Sequence, residues 1–297
     1  MHKLNCYMGD TPLIKIKNIF GENYANVYVK LEEFNPAGSI KSRVANQMIV
    51  DAEEKGLIKK GTRLLEATGG NTGMGLAFIS AIKGYNLTLV TPDNFSKEKI
   101  NTLRYFGANI ILSDHKSGVG SHIKLAKEIL ENDRGFYHLD QFNNLSNPKA
   151  HYLGTGLEII NSLNNPHIFV AGIGSGGTIG GVGKRLKEYN SNIKIYGVQP
   201  EGCDYFSNLT YPQKIEAISV GVESKFFDKA FLSGMISVKF EDVRELIKLL
   251  AKTEGIFVGL SSGANILAAL KLSTKFDNSI NIVTVAPDSG RSYMEKL

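Results

Sequence analysis

Cysteine is scarce in this chain of 297 residues: there are only two, Cys6 and Cys203. They lie far apart and form no CxxC pair. That argues against a disulfide framework and a zinc site, and a reducing cytoplasm fits. There is no HExxH motif and no His/Cys cluster, and the six histidines are dispersed, so metal catalysis is not expected. His151 lies on an expected helix and reads as structural. No window approaches the roughly 18 to 20 apolar residues of a spanning helix. The start, MHKLNCYMGDTPLIKI, lacks the long apolar core of a secretory signal. A net charge of +5 without a dense Lys/Arg run predicts small anionic ligands, not nucleic acid or a membrane surface. Repeats, low-complexity segments and an obvious flexible linker are also missing.

What is present is alternation. The length suits one large or two ordinary domains. Strand patterns at NVYVKL (26–31), TRLLEA, NLTLVTP (86–92) and NIILS interleave with helical ones. The helices include SRVANQMIVDAEEKGL, a run from about Met74 to Ile82, and SKEKINTLRYFG with Ser96 as N-cap and Gly107 beyond its end. Another, GSHIKLAKEILEND, carries Ile123, Ala126, Ile129 and Leu130 on one face. After Asn147 the pattern predicts helices at 148–162, 178–189, 241–253 and 262–273, and strands at 168–172, 193–198 and 280–286. Such alternation predicts an α/β protein whose mainly parallel sheets are flanked by helices. The stretch 199–235 has no clear pattern, and long irregular segments are often functional.

Two glycine-rich loops each follow a strand and open a helix. In VAGIGSGGTIGG (170–181), Gly174, Ser175, Gly176, Gly177 and Thr178 can turn several N–H groups and two hydroxyls toward one anion, aided by the helix N-terminus. No Lys-Ser/Thr pair closes it as a Walker loop, and no acidic residue ends the next strand as a dinucleotide site needs. A phosphate cradle and a tight packing turn are both open for this loop alone. In EATGGNTGMGLA (66–77), Thr68, Asn71 and Thr72 interleave with Gly69, Gly70 and Gly73, a carboxylate-sized set or simply a polar connection. A third bend, VGLSSGANI, offers Ser261 and Ser262, which by themselves read as N-caps.

Lys41 follows a Pro-Ala-Gly-Ser bend at the expected start of a helix. Alone it would read as a surface lysine. Joined to a phosphate cradle without a nucleotide signature, a carboxylate-sized loop and a serine at a strand end, it reads as the amine that binds pyridoxal phosphate. Small neighbours would desolvate and position it.

These motifs together resemble the cysteine synthase and cystathionine β-synthase family, the fold-type II pyridoxal phosphate enzymes. GDTPLIKI, KLEEFNPAGSIKSR, TGGNTGMGLA, DQFNNLSNPKAHY, GIGSGGT, GLSSGA and APDSG occur in the family's order along nearly the whole chain. The resemblance implies a tryptophan synthase β-like fold of two domains with twisted sheets and the coenzyme in the cleft between them. One domain would comprise 1–11 and 35–146, the other 12–34 and 147–297. It places the coenzyme on Lys41, its phosphate on Gly174–Thr178, Ser261 at the pyridine nitrogen, and Asn71 near the phenolic oxygen. Thr68, Gly69, Gly70, Asn71, Thr72 and Gln141 would hold the substrate carboxylate. The implied reaction is β-replacement on an activated serine or cysteine through an α-aminoacrylate, with Lys41 removing the α-proton. Cysteine synthesis, cystathionine formation and sulfide-releasing cysteine breakdown all fall within it. A cytoplasmic homodimer is implied as well. A nucleotide-dependent oxidoreductase and a non-catalytic sensor of the same fold are the competing classes.

Two departures bear on the subfamily. Gly69 stands where most relatives carry serine. In ISVGVESKFFDKAFL, Ser219 replaces an expected glycine and Glu223 follows Gly221 by two residues. Glu223 is a candidate catalytic residue, meeting a second amino acid's ammonium group or acting as a base. A solvated loop carboxylate is the alternative.

Overall fold

A computed structural model describes residues 4–19, 23–118, 120–211, 213–218 and 223–297. The chain divides into two compact units, Met1–Met8 with Lys41–Asn147, and Gly9–Ile40 with Pro148–Leu297.

The first unit holds a four-stranded parallel sheet. Its strands are β3 (Arg63–Ala67), β4 (Asn86–Pro92), β5 (Asn109–Ser113) and β6 (Phe136–His138), in the order β5-β4-β3-β6. Its main helices are α1 (Lys41–Glu54), α2 (Asn71–Lys83), α3 (Lys97–Tyr105) and α4 (Ser121–Asn132). Leu65, Ala67 and Val90 pack on Ala126, with Ile123, Ile129 and Leu130 beside them, so the expected apolar face of α4 is its buried one. Gly107, with φ of 84°, ends the helix that Ser96 opens, although the Ser96 side chain makes no capping bond.

The second unit holds six strands in the order β1-β2-β10-β7-β8-β9. These are β1 (Leu13–Lys15), β2 (Asn26–Leu31), β7 (Ile168–Gly172), β8 (Lys194–Pro200), β9 (Gly234–Val238) and β10 (Asn281–Ala286). Only β1 pairs antiparallel. Period-2 alternation sorts the side chains into two cores. Ile168, Val170 and Ile282 face one cluster with residues of α8 (Phe240–Thr253) and α9 (Leu260–Ser273). Phe169, Ala171, Val283 and Val285 face the other, with α6 (Gly156–Ser162) and α7 (Gly177–Tyr189). A sheet covered on both faces explains why these strands are almost wholly apolar.

The expected α/β pattern is present, with differences at its edges. Helix α2 begins at Asn71, three residues earlier than its apolar pattern predicts, and α9 begins at Leu260. Ser261 and Ser262 therefore lie inside the first turn and are not N-caps. The helix expected at 148–162 is α5 (Ser146–Ala150) and α6 joined by a π-turn, His151–Thr155. Strands β1, β6 and β9 are short or weakly patterned and escape a periodicity reading. Ser219 and Gly221 lie outside the described residues.

Candidate active site

In the first unit, Lys41 is the first residue of α1 and is half-buried. A Cβ on Gly75 of α2 would lie 2.7 Å from the Lys41 carbonyl oxygen, so the two helices approach closely because α2 has no side chain there. Burial pulls the Lys41 amine down from 10.5 to about 8, and the charge of Glu66 opposes that fall. An uncharged amine is thus accessible near neutral pH.

The Gly-rich segment after β3 runs directly into α2. The Thr68 hydroxyl accepts the Gly70 N–H at 3.2 Å, and Gly70 occupies the N-cap position. Asn71 and Thr72 form the first helical turn, whose outward N–H groups suit a carboxylate. The Thr72 hydroxyl donates to Gln141 Oε1 at 2.7 Å. The Asn147 side-chain amide donates to the Gln141 carbonyl at 2.8 Å, fixing the backbone on the same segment. Thr68, Thr72 and Gln141 are each at least nine-tenths buried. A Cβ on Gly69 would meet Pro92 only at 3.5 Å, an ordinary contact. Packing therefore does not require glycine there.

In the second unit, Gly174–Thr178 links β7 to α7. Gly176 has φ of 85°, and a Cβ on it would lie 1.9 Å from Ser224 Oγ. A Cβ on Gly174 would lie 2.3 Å from the Ala217 carbonyl oxygen. Both glycines are needed for this loop shape. The Ser224 hydroxyl donates to the Ser175 carbonyl at 3.0 Å, and Ser175 Oγ accepts the Gly177 N–H at 3.4 Å. Thr178 Oγ1 lies 3.3 Å from His151 Nε2 on the π-turn, and His151 Nδ1 lies 3.2 Å from Thr155 Oγ1. His151 is wholly buried and supports the loop's last hydroxyl.

Ser261 and Ser262 have different surroundings. The Ser262 hydroxyl lies 3.1 Å from both the carbonyl and Oδ1 of Asp288, which also accepts the Tyr293 hydroxyl at 2.6 Å. Ser262 is thus tied into the fold. Ser261 precedes it at the mouth of α9, 4% exposed. Asn265, one turn on, accepts the Gly172 N–H at 2.7 Å and donates to the Val285 carbonyl, fixing α9 to β7 and β10.

Glu223 is 52% exposed and pairs with Lys229 at 3.5 Å. Lys229 also donates to the Phe206 carbonyl and Asn208 Oδ1. The first unit thus gathers Lys41, the 68–72 segment and Gln141. The second gathers the 174–178 loop, with Ser261 on α9, which is tied to the strand that leads into it. Glu223 forms a separate exposed pair. Sequence reasoning missed Glu66, Ser224 and the support from His151. Glu66 had a signal, a lone carboxylate in an apolar strand just before a Gly-rich loop. Ser224 had none.

Residues 6–288 match the family described as pyridoxal-phosphate dependent enzymes. The chain is 39% identical over 290 residues to a cysteine synthase of Staphylococcus aureus, covering 97% of this chain and 93% of the relative. Among solved structures it is similar to a hydrogen sulfide-producing enzyme from Fusobacterium nucleatum, with a TM-score of 0.92, 38% identity and 99% of both chains covered. It is similar as well to an O-acetylserine-dependent cystathionine β-synthase from Helicobacter pylori, with a TM-score of 0.93, 34% identity, and 100% of this chain and 98% of that one covered. A lysine whose amine is lowered to about 8, a carboxylate-sized helix mouth and a glycine cradle accompany these similarities, and the chain belongs to the pyridoxal-phosphate-dependent enzymes of the cysteine synthase and cystathionine β-synthase family.

Proposed function

We propose that this enzyme replaces the β-substituent of an activated serine, or of cysteine, with sulfide or a thiol, yielding cysteine or a thioether amino acid. The observation that carries this reading is the Lys41 amine, brought to about 8 by burial, in the same unit as the bonded Thr72–Gln141 pair. One group can move a proton and the other can hold a carboxylate.

The residues fit pyridoxal phosphate. Gly174 and Gly176 leave backbone N–H groups bare where any side chain would collide, and α7 begins there. In this reading Gly174–Thr178 would hold the phosphate, Ser261 the ring nitrogen, Asn71 the phenolic oxygen, and Lys41 the aldehyde carbon. When bound, the coenzyme supplies an electron-withdrawing ring that acidifies the substrate α-carbon. Lys41 Nζ takes up the α-proton. The N–H groups at the start of α2, the Thr68 hydroxyl and the NH₂ group of Gln141 orient the carboxylate, so that the α-proton points at Nζ, and Thr72 holds Gln141 in that orientation. Gly69 and Gly70 keep that approach free of side chains. The two compact units serve as a substrate-loop domain and a coenzyme-phosphate domain. The enzyme works as a cytoplasmic homodimer, a reading supported by the free cysteines and by large apolar side chains left exposed, Leu145 and Leu153 among them.

The test is product identification. The purified enzyme is incubated with O-acetylserine, O-phosphoserine, serine or cysteine, each with sulfide or homocysteine. A β-substituted product from at least one pair is expected, and none from any pair would defeat the reading. A second reading, use of an amino-acid thiol, is favoured by exposed Glu223 and by the space left at Gly69. Glu223→Gln should then slow replacement by homocysteine while sparing sulfide. Wild-type rates in Glu223→Gln with both nucleophiles would leave Glu223 as a solvated carboxylate.

A further inference from the structure

The irregular stretch 199–235 has no place in the reaction as derived above, yet it presses on the Gly174–Thr178 loop at two points. At the first, a Cβ on Gly174 would lie 2.3 Å from the carbonyl oxygen of Ala217, which itself holds a left-handed φ of 69°. At the second, Ser224 approaches Gly176 so closely that only glycine fits. Ser224 is 8% exposed, and its N–H donates to the Tyr205 hydroxyl at 3.3 Å. The Tyr205 ring stacks on Phe227 with centroids 6.1 Å apart. Phe227 in turn lies against α7, since a Cβ on Gly180 would come within 3.3 Å of its ring. Ser224 is thus braced against the same helix that the loop opens.

The Ser224 hydroxyl accepts the Phe226 N–H at 3.2 Å, and its one proton goes to the Ser175 carbonyl at 3.0 Å. In a trans peptide the C=O and N–H of one plane point in opposite directions. Fixing the Ser175 carbonyl on Ser224 therefore aims the Gly176 N–H away from Ser224. Gly176 is buried, and its N–H meets no acceptor among the described residues. Buried backbone N–H groups are rarely left so. The next N–H, that of Gly177, is already turned to Ser175 Oγ. We infer that Ser224 is a positioning residue of the anion cradle: by holding the Ser175 carbonyl, it turns the buried Gly176 N–H toward an oxygen of the coenzyme phosphate. Glycine at 176 has no Cβ to restrain that peptide plane, so the restraint comes from the serine hydroxyl. Ser224 acts through the plane and needs no contact with the ligand.

This inference rests on the reading of Gly174–Thr178 as the phosphate loop, and its test separates the two. The full-length, coenzyme-free chain is titrated with pyridoxal phosphate and with pyridoxal, which lacks the phosphate, and binding is followed by absorbance. The wild type should bind pyridoxal phosphate far more tightly than pyridoxal. Equal affinity for both would defeat the phosphate reading, and the inference with it. Ser224→Ala should weaken pyridoxal phosphate about tenfold, the loss of one charge-assisted hydrogen bond, and leave pyridoxal unchanged. Ser224→Thr keeps the hydroxyl and should restore part of the loss. The second readout is amide NMR of the same chain titrated with inorganic phosphate. The Gly176 N–H resonance should move downfield in the wild type and stay in place in Ser224→Ala. Unchanged pyridoxal phosphate affinity in Ser224→Ala would overturn the inference and leave the phosphate reading standing. So would equal losses for pyridoxal phosphate and pyridoxal, since Ser224 would then serve only the fold of the loop.

Discussion

The Thr72 hydroxyl donates to the Gln141 side-chain carbonyl at 2.7 Å, joining the first turn of α2 to a segment 69 residues away. With Oε1 engaged, the Gln141 amide can present only its NH₂ group to a ligand, the polarity a carboxylate needs. Thr72→Val removes the donor and leaves the amide free to rotate. We expect KM for the amino acid to rise about tenfold, the loss of one hydrogen bond of about 1 to 1.5 kcal/mol, with coenzyme affinity unchanged. Steady-state kinetics with parallel coenzyme titration checks this.

Gly176 should control coenzyme binding more than chemistry. Valine there meets two penalties, a left-handed φ of 85° and a Cβ 1.9 Å from Ser224 Oγ. Backbone strain alone is worth about 1 to 3 kcal/mol, so coenzyme affinity should fall at least tenfold or so. Gly107→Ala is the control, because Gly107 has φ of 84° but nothing within 4 Å of an added Cβ. It should bind coenzyme like the wild type. Equal coenzyme affinity in Gly176→Val would identify the loop as a packing turn.

Lys41 and Glu66 should together give the coenzyme-free chain a stability minimum near pH 8. Glu66 holds its proton up to about 8 in the folded chain, against an ordinary 4.5. Its contribution is therefore complete below about 4.5 and is lost as pH rises through about 8. Lys41 has the opposite shift, from 10.5 to about 8, so the unfolded chain binds more protons between those values and stability recovers as pH rises. Urea midpoints measured from pH 5 to 10 should show the dip. Glu66→Gln should flatten its acidic side and Lys41→Met its basic side. A wild-type curve parallel to both variants would contradict the two shifts.

The repeating order of strand and helix is legible in the sequence because buried parallel strands must be apolar along their length. The run Ile168–Gly172 and the segment Asn281–Ala286 show that directly. Strand β9 is less legible, since only Val238 of its five residues is buried and it follows a long irregular stretch. The start of α2 is obscured by Gly73 and Gly75, poor helix formers kept by close contacts. A Cβ on Gly73 would meet Thr68 and Leu89, and one on Gly75 would meet the Lys41 backbone. The motif residues of the site can be read as residue types in order. The division of labour between Ser261 and Ser262 cannot, because it depends on Asp288, 26 residues from Ser262. Glu66 shows the same limit: its lone charge is visible in the strand, but the backbone N–H groups of Gln141 and Asp140 that face it become apparent only in three dimensions.

The central claim is that Lys41 carries the coenzyme and moves the α-proton. The most direct measurement is borohydride reduction of the holoenzyme, followed by digestion and mass spectrometry of the coenzyme-bearing peptide. The account predicts the pyridoxyl group on Lys41, and in Lys41→Ala no fixed coenzyme and no α-proton exchange. Coenzyme fixed to another lysine, or a fully active Lys41→Ala protein without added amine, would contradict it.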